Sequence, residues 1–384
     1  MLKKIVMKNI SSIGFCEVDF RKGNYKFLEG NVKGDVVNPI AFYGHNGSGK
    51  SSFFNGIFTL INLLVEPAET LFPFVVNEFN FEKYQREKKD KELLVGSIEL
   101  FFELDNSDYD YYISTTAAPF MKIEKEYLKK DGEIYFNRTS NVYNYYKDNS
   151  VSENVSKLVP ALRVLASQKI DDKFIQSVFS YISSFVFVNL PFINRGGFVT
   201  SKLYKDYNYF DLLVNHSEKV KEILKGYDEF PIYSIVRNNS AVLSNIPSEQ
   251  YSLVLEGKKF KGKLPFSMIS AGMKNQSALL SILVSMPEHS VLFVDELEQA
   301  LHPSAIKSFL EVVKSKNIQL VFSSHNTFIL QMLRPDQIYF SKWSEGFSAY
   351  YRLSKIYPNI REVNNIEKMY LSSIFDGAIE ENEQ

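Results

Sequence analysis

The sequence is almost without cysteine, since Cys16 is the only one among 384 residues. Because one thiol cannot form a disulfide within the chain, a small disulfide-stapled fold of the secreted type is excluded. The N-terminus, MLKKIVMKNISSIG, lacks the apolar core and the small-residue cleavage site of a secretory signal. Apolar runs such as 185–188 and 291–294 are strand-sized, whereas a membrane helix needs about 20 residues. We therefore expect a cytoplasmic protein that does not enter a membrane.

The sequence also lacks an excess of charge of either sign. Its 44 Lys and Arg residues stand against 45 Asp and Glu residues, for a formal net charge of −1. Such a chain has no overall field to hold a polyanion, so any contact with nucleic acid needs a local basic patch. No internal repeat is found, which excludes solenoids. The composition is otherwise globular, with 45% hydrophobic residues and 15% aromatic residues that we assign to packing.

The order of the periodic segments predicts an α/β fold. Apolar and polar residues alternate over residues 2–20, which predicts strands, and the apolar run 39–43 predicts a further strand that leads into a helix over 51–65. Near the C-terminus, predicted helices alternate with buried strands. The highly charged stretch 82–92 is predicted to be a solvated connection.

A long insertion separates the two parts of this α/β unit. We expect a core made of residues 1–61 and 265–384, and an inserted region over residues 62–264. Strand signals separated by turn residues predict an antiparallel β-meander at about 93–138. Helical spacing of the apolar residues predicts a mainly helical part at about 152–226.

The strongest motif is GHNGSGKS at residues 44–51, a complete G-x-x-x-x-G-K-S that follows a predicted strand and precedes a predicted helix. Glycines let backbone N–H groups turn inward around a polyphosphate, and the helix N-terminus adds partial positive charge. This P-loop predicts that Lys50 reaches the β- and γ-phosphates of ATP and that the Ser51 hydroxyl binds magnesium. The residues predicted to hold the nucleotide are Gly44, His45, Asn46, Gly47, Ser48, Gly49, Lys50, Ser51 and Ser52.

Two further signals end predicted strands. Asp295 and Glu296 follow the buried run 291–294. A strand parallel to the P-loop strand would bring Asp295 to the magnesium ion and Glu296 to the γ-phosphate, as a metal ligand and a base for water. His325 follows the predicted strand 319–322, where it can bond the γ-phosphate or position the water. We thus predict Lys50, Glu296 and His325 as catalytic residues.

A weaker signal precedes the predicted helix over residues 275–286. Ser270 and Gly272 lie in the small-residue turn SAGMK, and a serine hydroxyl with a glycine amide at a helix N-terminus can bind an anion.

These motifs, in this order and with a long insertion after the first, resemble the ABC-type ATPases of the SMC and RecF class. The likeness is greatest to the AAA-type ATPases of the OLD, RloA-like and abortive-infection group, in which DE is followed by E-x-x-L-H-P. Here residues 295–303 read DELEQALHP. The opening pattern LKKIVMKNISSIG and the C-terminal segment 366–371 are similar too. The resemblance covers residues 1–60 and 220–384 and implies a P-loop NTPase fold of the ABC, SMC and RecF head type.

The resemblance implies that ATP and Mg²⁺ are bound between two copies of the chain. Ser270 and Gly272 of one copy would complete the site formed by the P-loop, the DE pair and the histidine of the other. The turn SAGMK departs from the LSGGQ signature of transporters. The family also has a glutamine-bearing loop, for which Gln168, Gln176 and Asn189 are the candidates.

The function predicted with this resemblance is magnesium-dependent ATP hydrolysis by the switch or sensor of a prokaryotic phage-defence system of the abortive-infection type. It would act through nucleotide-dependent dimerisation or higher assembly. OLD nucleases carry a Toprim domain after the ATPase, for which this sequence leaves no room, so we expect a separate effector protein, a nuclease or toxin.

Three alternatives remain open. A DNA-repair ATPase of the RecF or SMC kind would clamp DNA, and its candidate basic patch is Lys258, Lys259, Lys261 and Lys263. A transporter subunit is disfavoured by SAGMK and by the long insertion. A scaffold that binds ATP without hydrolysing it is disfavoured by Glu296.

Overall fold

A computed structural model describes residues 1–66, 74–87, 90–117, 122–146, 151–189, 199–200, 209–225, 232–238, 250–256 and 261–376. Within these ranges the strands are β1 (Leu2–Ile10), β2 (Ile13–Asp19), β3 (Val32–Lys33), β4 (Val36–Val37), β5 (Ile40–Tyr43), β6 (Val95–Leu104), β7 (Ser107–Thr116), β8 (Lys122–Lys130), β9 (Glu133–Thr139), β10 (Val142–Tyr145), β11 (Val151–Asn154), β12 (Val186–Asn189), β13 (Val199–Thr200), β14 (Tyr233–Arg237), β15 (Tyr251–Glu256), β16 (Lys261–Pro265), β17 (Val291–Asp295), β18 (Gln319–Ser323), β19 (Ile338–Ser344) and β20 (Phe347–Arg352). The α-helices are α1 (Lys50–Val65), α2 (Glu78–Glu87), α3 (Ala161–Gln168), α4 (Lys173–Ser183), α5 (Tyr209–Asn215), α6 (Ser217–Lys225), α7 (Ala271–Ser285), α8 (Pro303–Ser315), α9 (Leu353–Ile356) and α10 (Ile366–Leu371).

One mixed sheet of fifteen strands organises these elements, in the order β11-β10-β9-β8-β7-β6-β1-β2-β20-β19-β5-β18-β17-β12-β13. Its parallel part runs from β19 through β5, β18 and β17 to β12. The other side is an antiparallel meander from β6 to β11, which joins the centre through β1. Strands β14, β15 and β16 form a separate small sheet. The predicted α/β class with a meander is confirmed.

Hydrophobic cores cover both faces of the parallel part. Val291 and Phe293 of β17 face the core that contains α1, α3 and α4, whereas Leu292 and Val294 face the core of α7 and α8. Burial on both faces explains why the strand is an unbroken apolar run instead of an alternating one. None of the described helices is long and apolar enough to span a membrane.

The charged stretch predicted as a solvated connection contains most of a helix instead. Helix α2 has no buried residue, but the Phe79 ring packs edge-on against the ring of Phe347 at 5.4 Å between centroids. Asn80, Phe81 and Tyr84 are half-buried and the remaining residues of α2 are exposed, so the helix carries only a weak apolar periodicity. The prediction therefore identified the exposure of this segment and missed its helical form.

The predicted insertion contributes strands to the main sheet. Strand β6 pairs with β1, and β12 pairs in parallel with β17. The strand-sized apolar run 185–188 supplies most of β12, so this part of the insertion belongs to the parallel part of the main sheet. The division of the chain at residues 62 and 264 stays a prediction.

One carboxyl group of the meander gives a test of this fold by pH. Asp110 accepts a hydrogen bond from Lys129 Nζ at 3.2 Å through one oxygen, while its other oxygen is buried without a partner among the described residues. Burial, followed by the neighbouring Glu99, raises the pKa of Asp110 to about 6. A raised folded-state pKa means that the ionised form is disfavoured, so stability falls as pH rises from about 4 through 6.

Asp110→Asn is therefore expected to raise the free energy of unfolding at pH 8 by on the order of 1 kcal/mol, after discounting for solvent screening. At pH 4, where the carboxyl group is protonated in the folded wild type, the gain should vanish. Urea unfolding of both proteins at the two pH values measures this difference. An equal gain at pH 4 and pH 8 would contradict the raised pKa.

Candidate active site

The P-loop connects β5 to α1 and requires glycine at particular positions. Gly47 and Gly49 have φ angles of +78° and +98°, which other residues rarely adopt. A Cβ atom on Gly49 would lie 1.9 Å from Ser348 Oγ, whereas a Cβ on Gly47 would meet nothing within 4 Å. The loop is therefore packed against the protein at Gly49 and open at Gly47.

Hydroxyl groups fix this loop to its surroundings. Ser48 Oγ lies 2.6 Å from Ser341 Oγ on β19, and the Tyr350 hydroxyl on β20 donates to the carbonyl oxygen of Gly49 at 2.6 Å. The turn between β1 and β2 contributes in the same way. The hydroxyl contacts there are Ser11 to Ser52 at 3.2 Å, Ser12 to Ser52 at 2.7 Å and Ser12 to Ser348 at 2.6 Å.

The N-terminus of α1 is arranged to receive an anion. Gly49 is the N-cap residue and provides no side-chain hydrogen bond, so the backbone N–H groups of Lys50 and Ser51 stay available to an anion. The N–H of Ser52 donates to the carbonyl oxygen of Gly49 at 2.9 Å. Lys50 is 6% exposed, and its amine donates to the carbonyl oxygens of Gly44 at 2.9 Å and His45 at 3.1 Å. Burial lowers the pKa of Lys50, and the nearby Asp295 opposes that shift. Phosphate oxygens would give this amine the charged partner that the loop carbonyls do not supply.

Asp295 and Glu296 lie two strands from the P-loop strand, where β17 ends. Asp295 is buried and accepts a hydrogen bond from Ser323 Oγ, and Ser323 Oγ in turn accepts from the backbone N–H of Glu296 at 2.8 Å. Glu296 has a left-handed backbone, with φ 58° and ψ 57°. Such a conformation costs a glutamate about 1–3 kcal/mol and persists where the surroundings hold it. The Ser323 hydrogen bond is one such restraint.

The electrostatics of Glu296 suit a base. Burial raises its pKa, as do the neighbouring carboxylates of Asp295 and Glu298, while Lys50 and the Gln299 amide oppose the rise. A carboxylate with a raised pKa is a stronger acceptor of a proton from water than an exposed one. The Gln299 side chain donates to Glu296 and fixes the orientation of the carboxylate.

His325 follows β18, the strand between the P-loop strand and β17. Its backbone N–H donates to Glu298 Oε1 at 2.8 Å, and the other oxygen of Glu298 is buried without a partner among the described residues. Desolvation lowers the pKa of His325, and the Lys50 amine lowers it further. The lowered pKa favours the neutral imidazole, which has one N–H donor and one acceptor nitrogen.

Glu298 was not identified from the sequence. It lies in the short 3-10 turn Leu297–Gln299 directly after Glu296, and this turn directs its carboxylate to the backbone of His325. The available signal was the E-x-x-L-H-P segment that carries the resemblance, because Glu298 is its first residue, but no role was predicted for it. Because Glu298 links the ends of β17 and β18, it positions His325 relative to Glu296.

The structure separates the three candidates for the glutamine-loop residue. Asn189 is aligned with Asp295 in the parallel pairing of β12 with β17, and its side-chain oxygen is buried without a partner among the described residues. Gln168 instead accepts from the Tyr143 hydroxyl at 3.0 Å, and Gln176 donates to the Ala166 carbonyl at 2.7 Å, both in the meander and α3–α4 region. Only Asn189 of the three lies at the edge of the sheet that holds the site.

Ser270 and Gly272 are at the exposed start of α7. Ser270 Oγ accepts from the backbone N–H of Met273 at 3.3 Å as the N-cap, and a Cβ on Gly272 would meet nothing within 4 Å. Asn275 donates to the Gln299 carbonyl at 3.1 Å and so connects α7 with the turn after Glu296. No hydrogen bond among the described residues joins Ser270 or Gly272 to the P-loop, so their role opposite a second copy stays a prediction.

The donor set fits magnesium held jointly with phosphates. Among the described residues no group of three or more His, Cys, Asp or Glu side chains could hold a metal by itself. The exposed Ser51 hydroxyl and the Asp295 carboxylate supply oxygen ligands, and Mg²⁺ commonly takes one or two protein oxygens, with phosphate oxygens and waters completing its shell. The metal residues Ser51 and Asp295 stay predictions that this chemistry supports.

Together these groups occupy the carboxyl ends of β5, β18, β17 and β12, the edge at which open α/β sheets bind ligands. The P-loop offers amides and an amine for a polyphosphate, Ser51 and Asp295 offer oxygen ligands, and Glu296 and His325 offer proton acceptors. The arrangement can therefore bind a metal–polyphosphate and activate a water molecule beside it.

Solved structures share the fold at low sequence identity. The chain is 14% identical to an SMC head bound to the C-winged helix domain of ScpA, covering 92% of this chain and 99% of that chain with a TM-score of 0.51. It is 14% identical to the SMC head domain from Thermotoga maritima, with coverage of 91% and 98% and a TM-score of 0.45. RecF with ATP is 12% identical, with coverage of 91% and 99% and a TM-score of 0.40. The first of these likenesses confirms the predicted P-loop fold of the SMC head type.

No curated protein matches the sequence. The family described as "AAA domain, putative AbiEii toxin, Type IV TA system" matches residues 40–331, which include the P-loop, Asp295, Glu296 and His325. The chain therefore belongs to this family of AAA-domain proteins.

Proposed function

We propose that the protein binds and hydrolyses ATP with magnesium at this site and uses the nucleotide state as a switch. The observation that carries the proposal is the joint placement of the P-loop amine, the DE pair and the histidine at one edge of the sheet. Lys50 is buried against the loop, and carboxylates of Asp295, Glu296 and Glu298 act on its pKa. A buried amine among acidic groups fits a site built for a metal–phosphate complex.

Each residue has a definite task in this proposal. The α1 amides and Lys50 bind the phosphates, and Ser51 with Asp295 holds the metal. When bound, magnesium would offset the negative charge that develops on the phosphates. Glu296 accepts a proton from the attacking water, and neutral His325 donates a hydrogen bond toward the γ-phosphate. Glu298 is a positioning residue, since it holds the backbone of His325.

Assembly is the proposed output of the switch. Ser270 and Gly272 are exposed at the start of α7. Among the described residues, neither forms a hydrogen bond to the P-loop of its own chain. A helix N-terminus that is open in this way can bind the γ-phosphate held by a second copy. ATP would then join two copies, and hydrolysis would release them.

The proposed biological role is control of a separate effector in an anti-phage defence system. Its support is the family description, which refers to a toxin and to a toxin–antitoxin system. This chain's part in it would be the nucleotide switch, with a nuclease or toxin as the partner. The test is to infect three kinds of cell with phage: cells that carry the wild-type gene, cells that carry the Lys50→Ala variant, and cells without the gene. Lower phage yield is expected only with the wild-type gene, and equal yields from all three would contradict this role.

Nucleotide-dependent mass tests the switch itself. Light scattering of the wild type with ATP and magnesium is expected to show a dimer or larger assembly that is not formed without nucleotide. Lys50→Ala removes the amine that contacts phosphate and should stay at the smaller mass. Lys314→Ala, a change on α8 outside the site, is the matched control and should assemble as the wild type does. If the wild type has the same mass with and without ATP, the proposal is contradicted.

A DNA-clamping ATPase is the second candidate. The lysine patch predicted for it lies largely outside the described residues, since 257–260 and the side chain of Lys261 are not described. A groove of about 610 Å³ between the meander and α2 supports it, because Lys8, Lys91, Lys122 and Lys125 outnumber the two acidic residues of its lining, Glu92 and Glu124. Lys122 is paired with Glu124, which leaves Lys8, Lys91 and Lys125 to contact phosphates. Within the part of the chain that the structure describes, these three lysines form no ion pairs. DNA binding through phosphates would weaken steeply with salt, so a flat salt response excludes this function.

A further inference from the structure

The β19–β20 hairpin places an exposed tryptophan beside the P-loop. Trp343 is the only tryptophan of the sequence and is 53% exposed. It follows Ser341 by two residues on β19 and is paired with Ser348 across the hairpin. Large aromatic side chains usually bury most of their surface, so this exposure needs an explanation.

The two neighbours of Trp343 both touch the P-loop. Ser341 Oγ lies 2.6 Å from Ser48 Oγ, and Ser348 fills the space that a Cβ atom on Gly49 would need. Alternate residues of a strand share a face, and residues directly opposite each other in a hairpin share a face with Cβ atoms about 5 Å apart. Trp343 is therefore on the face of the hairpin that meets the P-loop, two residues closer to the turn than Ser341 and directly opposite Ser348.

The other aromatic residues of the hairpin are already packed. Phe347 contacts Phe79 of α2 at 5.4 Å, and Tyr350 contacts Phe42 at 5.9 Å between ring centroids. No ring contact among the described residues involves Trp343. Its indole is thus the one aromatic surface of this hairpin that is free on the side of the P-loop.

A nucleotide whose phosphates lie in the P-loop extends its base beyond the loop, where it needs a flat apolar partner. We propose that the indole of Trp343 packs against the purine ring of the bound nucleoside triphosphate, an inference that rests on the proposed function. Stacking contacts the face of the purine ring and not the edge that carries its hydrogen-bonding groups, so it does not distinguish adenine from guanine. ATP and GTP should therefore bind with similar affinity, and inorganic triphosphate should bind without contacting the indole.

Fluorescence of the single tryptophan gives a direct test. Adding ATP and magnesium should change Trp343 emission saturably, with a midpoint equal to the ATP affinity measured independently by equilibrium dialysis. Inorganic triphosphate should bind in a competition dialysis experiment and leave the emission unchanged. ATP that binds by dialysis without changing the emission overturns the inference and leaves ATP binding, and with it the proposed function, intact.

Two variants distinguish the contribution of the base to ATP binding from that of the phosphates. Trp343→Ala is expected to weaken ATP binding about tenfold, the order of one base–aromatic stack, and to leave triphosphate binding as in the wild type. Tyr146→Ala removes another exposed aromatic, at the end of β10, and should bind both ligands normally. Equal ATP affinity of Trp343→Ala and wild type overturns the inference alone. A wild type that binds neither ATP nor triphosphate overturns the inference and the proposed function together.

Discussion

Replacing Glu296 by glutamine is expected to lower ATP hydrolysis about 100- to 1,000-fold while ATP binding is retained. The amide keeps the size and most hydrogen bonds of the carboxylate but cannot accept a proton from water. Burial and the carboxylates of Asp295 and Glu298 raise the pKa of Glu296, which favours its acceptance of a proton from water. Phosphate release and equilibrium dialysis with ATP measure the two quantities separately.

The same variant should trap the assembled state. If ATP joins two copies and hydrolysis separates them, Glu296→Gln should accumulate the ATP-dependent larger mass that the wild type forms only transiently. Glu311→Gln, an exposed acidic residue of α8, is the matched control and should hydrolyse ATP as the wild type does. Unchanged phosphate release by Glu296→Gln would show that another group activates the water.

Replacing Gly49 by alanine is the second change with a large expected effect. Its φ angle of +98° is unfavourable for any residue with a Cβ atom, and that atom would lie 1.9 Å from Ser348 Oγ and 2.5 Å from Ser348 Cβ. Backbone strain and overlap cost together at least about 2 kcal/mol, which corresponds to about thirty-fold weaker ATP binding. Equilibrium dialysis measures the loss.

Two further variants show whether atomic overlap or backbone strain causes the loss of ATP affinity in Gly49→Ala. Gly30→Ala is the control, because a Cβ on Gly30 would meet nothing within 4 Å and its φ is not positive. Combining Gly49→Ala with Ser348→Gly removes the overlap with Ser348 but leaves the close approach to Ser12 Oγ, at 2.8 Å, and the backbone strain, so it should recover part of the lost affinity. If Gly49→Ala binds ATP normally, the fixed loop conformation is not needed for binding.

The candidate site residues were predictable because each follows a recognisable local pattern. A glycine loop between a strand and a helix identifies the P-loop, and polar residues directly after buried strands identify Asp295, Glu296 and His325. The structure places all of them at the carboxyl ends of adjoining strands, β5, β18 and β17. The roles given to these residues stay predictions until activity is measured.

The supporting residues were not predictable in the same way. Ser341, Ser348 and Tyr350 contact the P-loop from about three hundred residues along the chain, and only the strand order brings them there. The turn of the hairpin has a local signal in its glycine. Residues 345 and 346 both have positive φ angles, as tight hairpin turns require, and Gly346 adopts such an angle without strain. Nothing local to the hairpin shows that it lies next to β5.

The choice among Gln168, Gln176 and Asn189 depended on register. All three follow or lie within apolar segments, and sequence spacing does not distinguish them. The parallel pairing of β12 with β17 aligns Asn189 with Asp295, whereas the other two side chains bond to the meander and to the α3–α4 connection. A one-residue change of register would turn Asn189 to the other face of the sheet.

Phosphate release from ATP by the purified wild-type protein tests most directly whether this edge of the sheet is an ATPase site. Slow release is predicted with ATP and magnesium, with near-complete loss in EDTA, in Lys50→Ala and in Glu296→Gln. Release by Lys50→Ala or Glu296→Gln at the wild-type rate would contradict the assignment. A wild type that binds ATP and releases no phosphate would make the protein a nucleotide-binding scaffold instead.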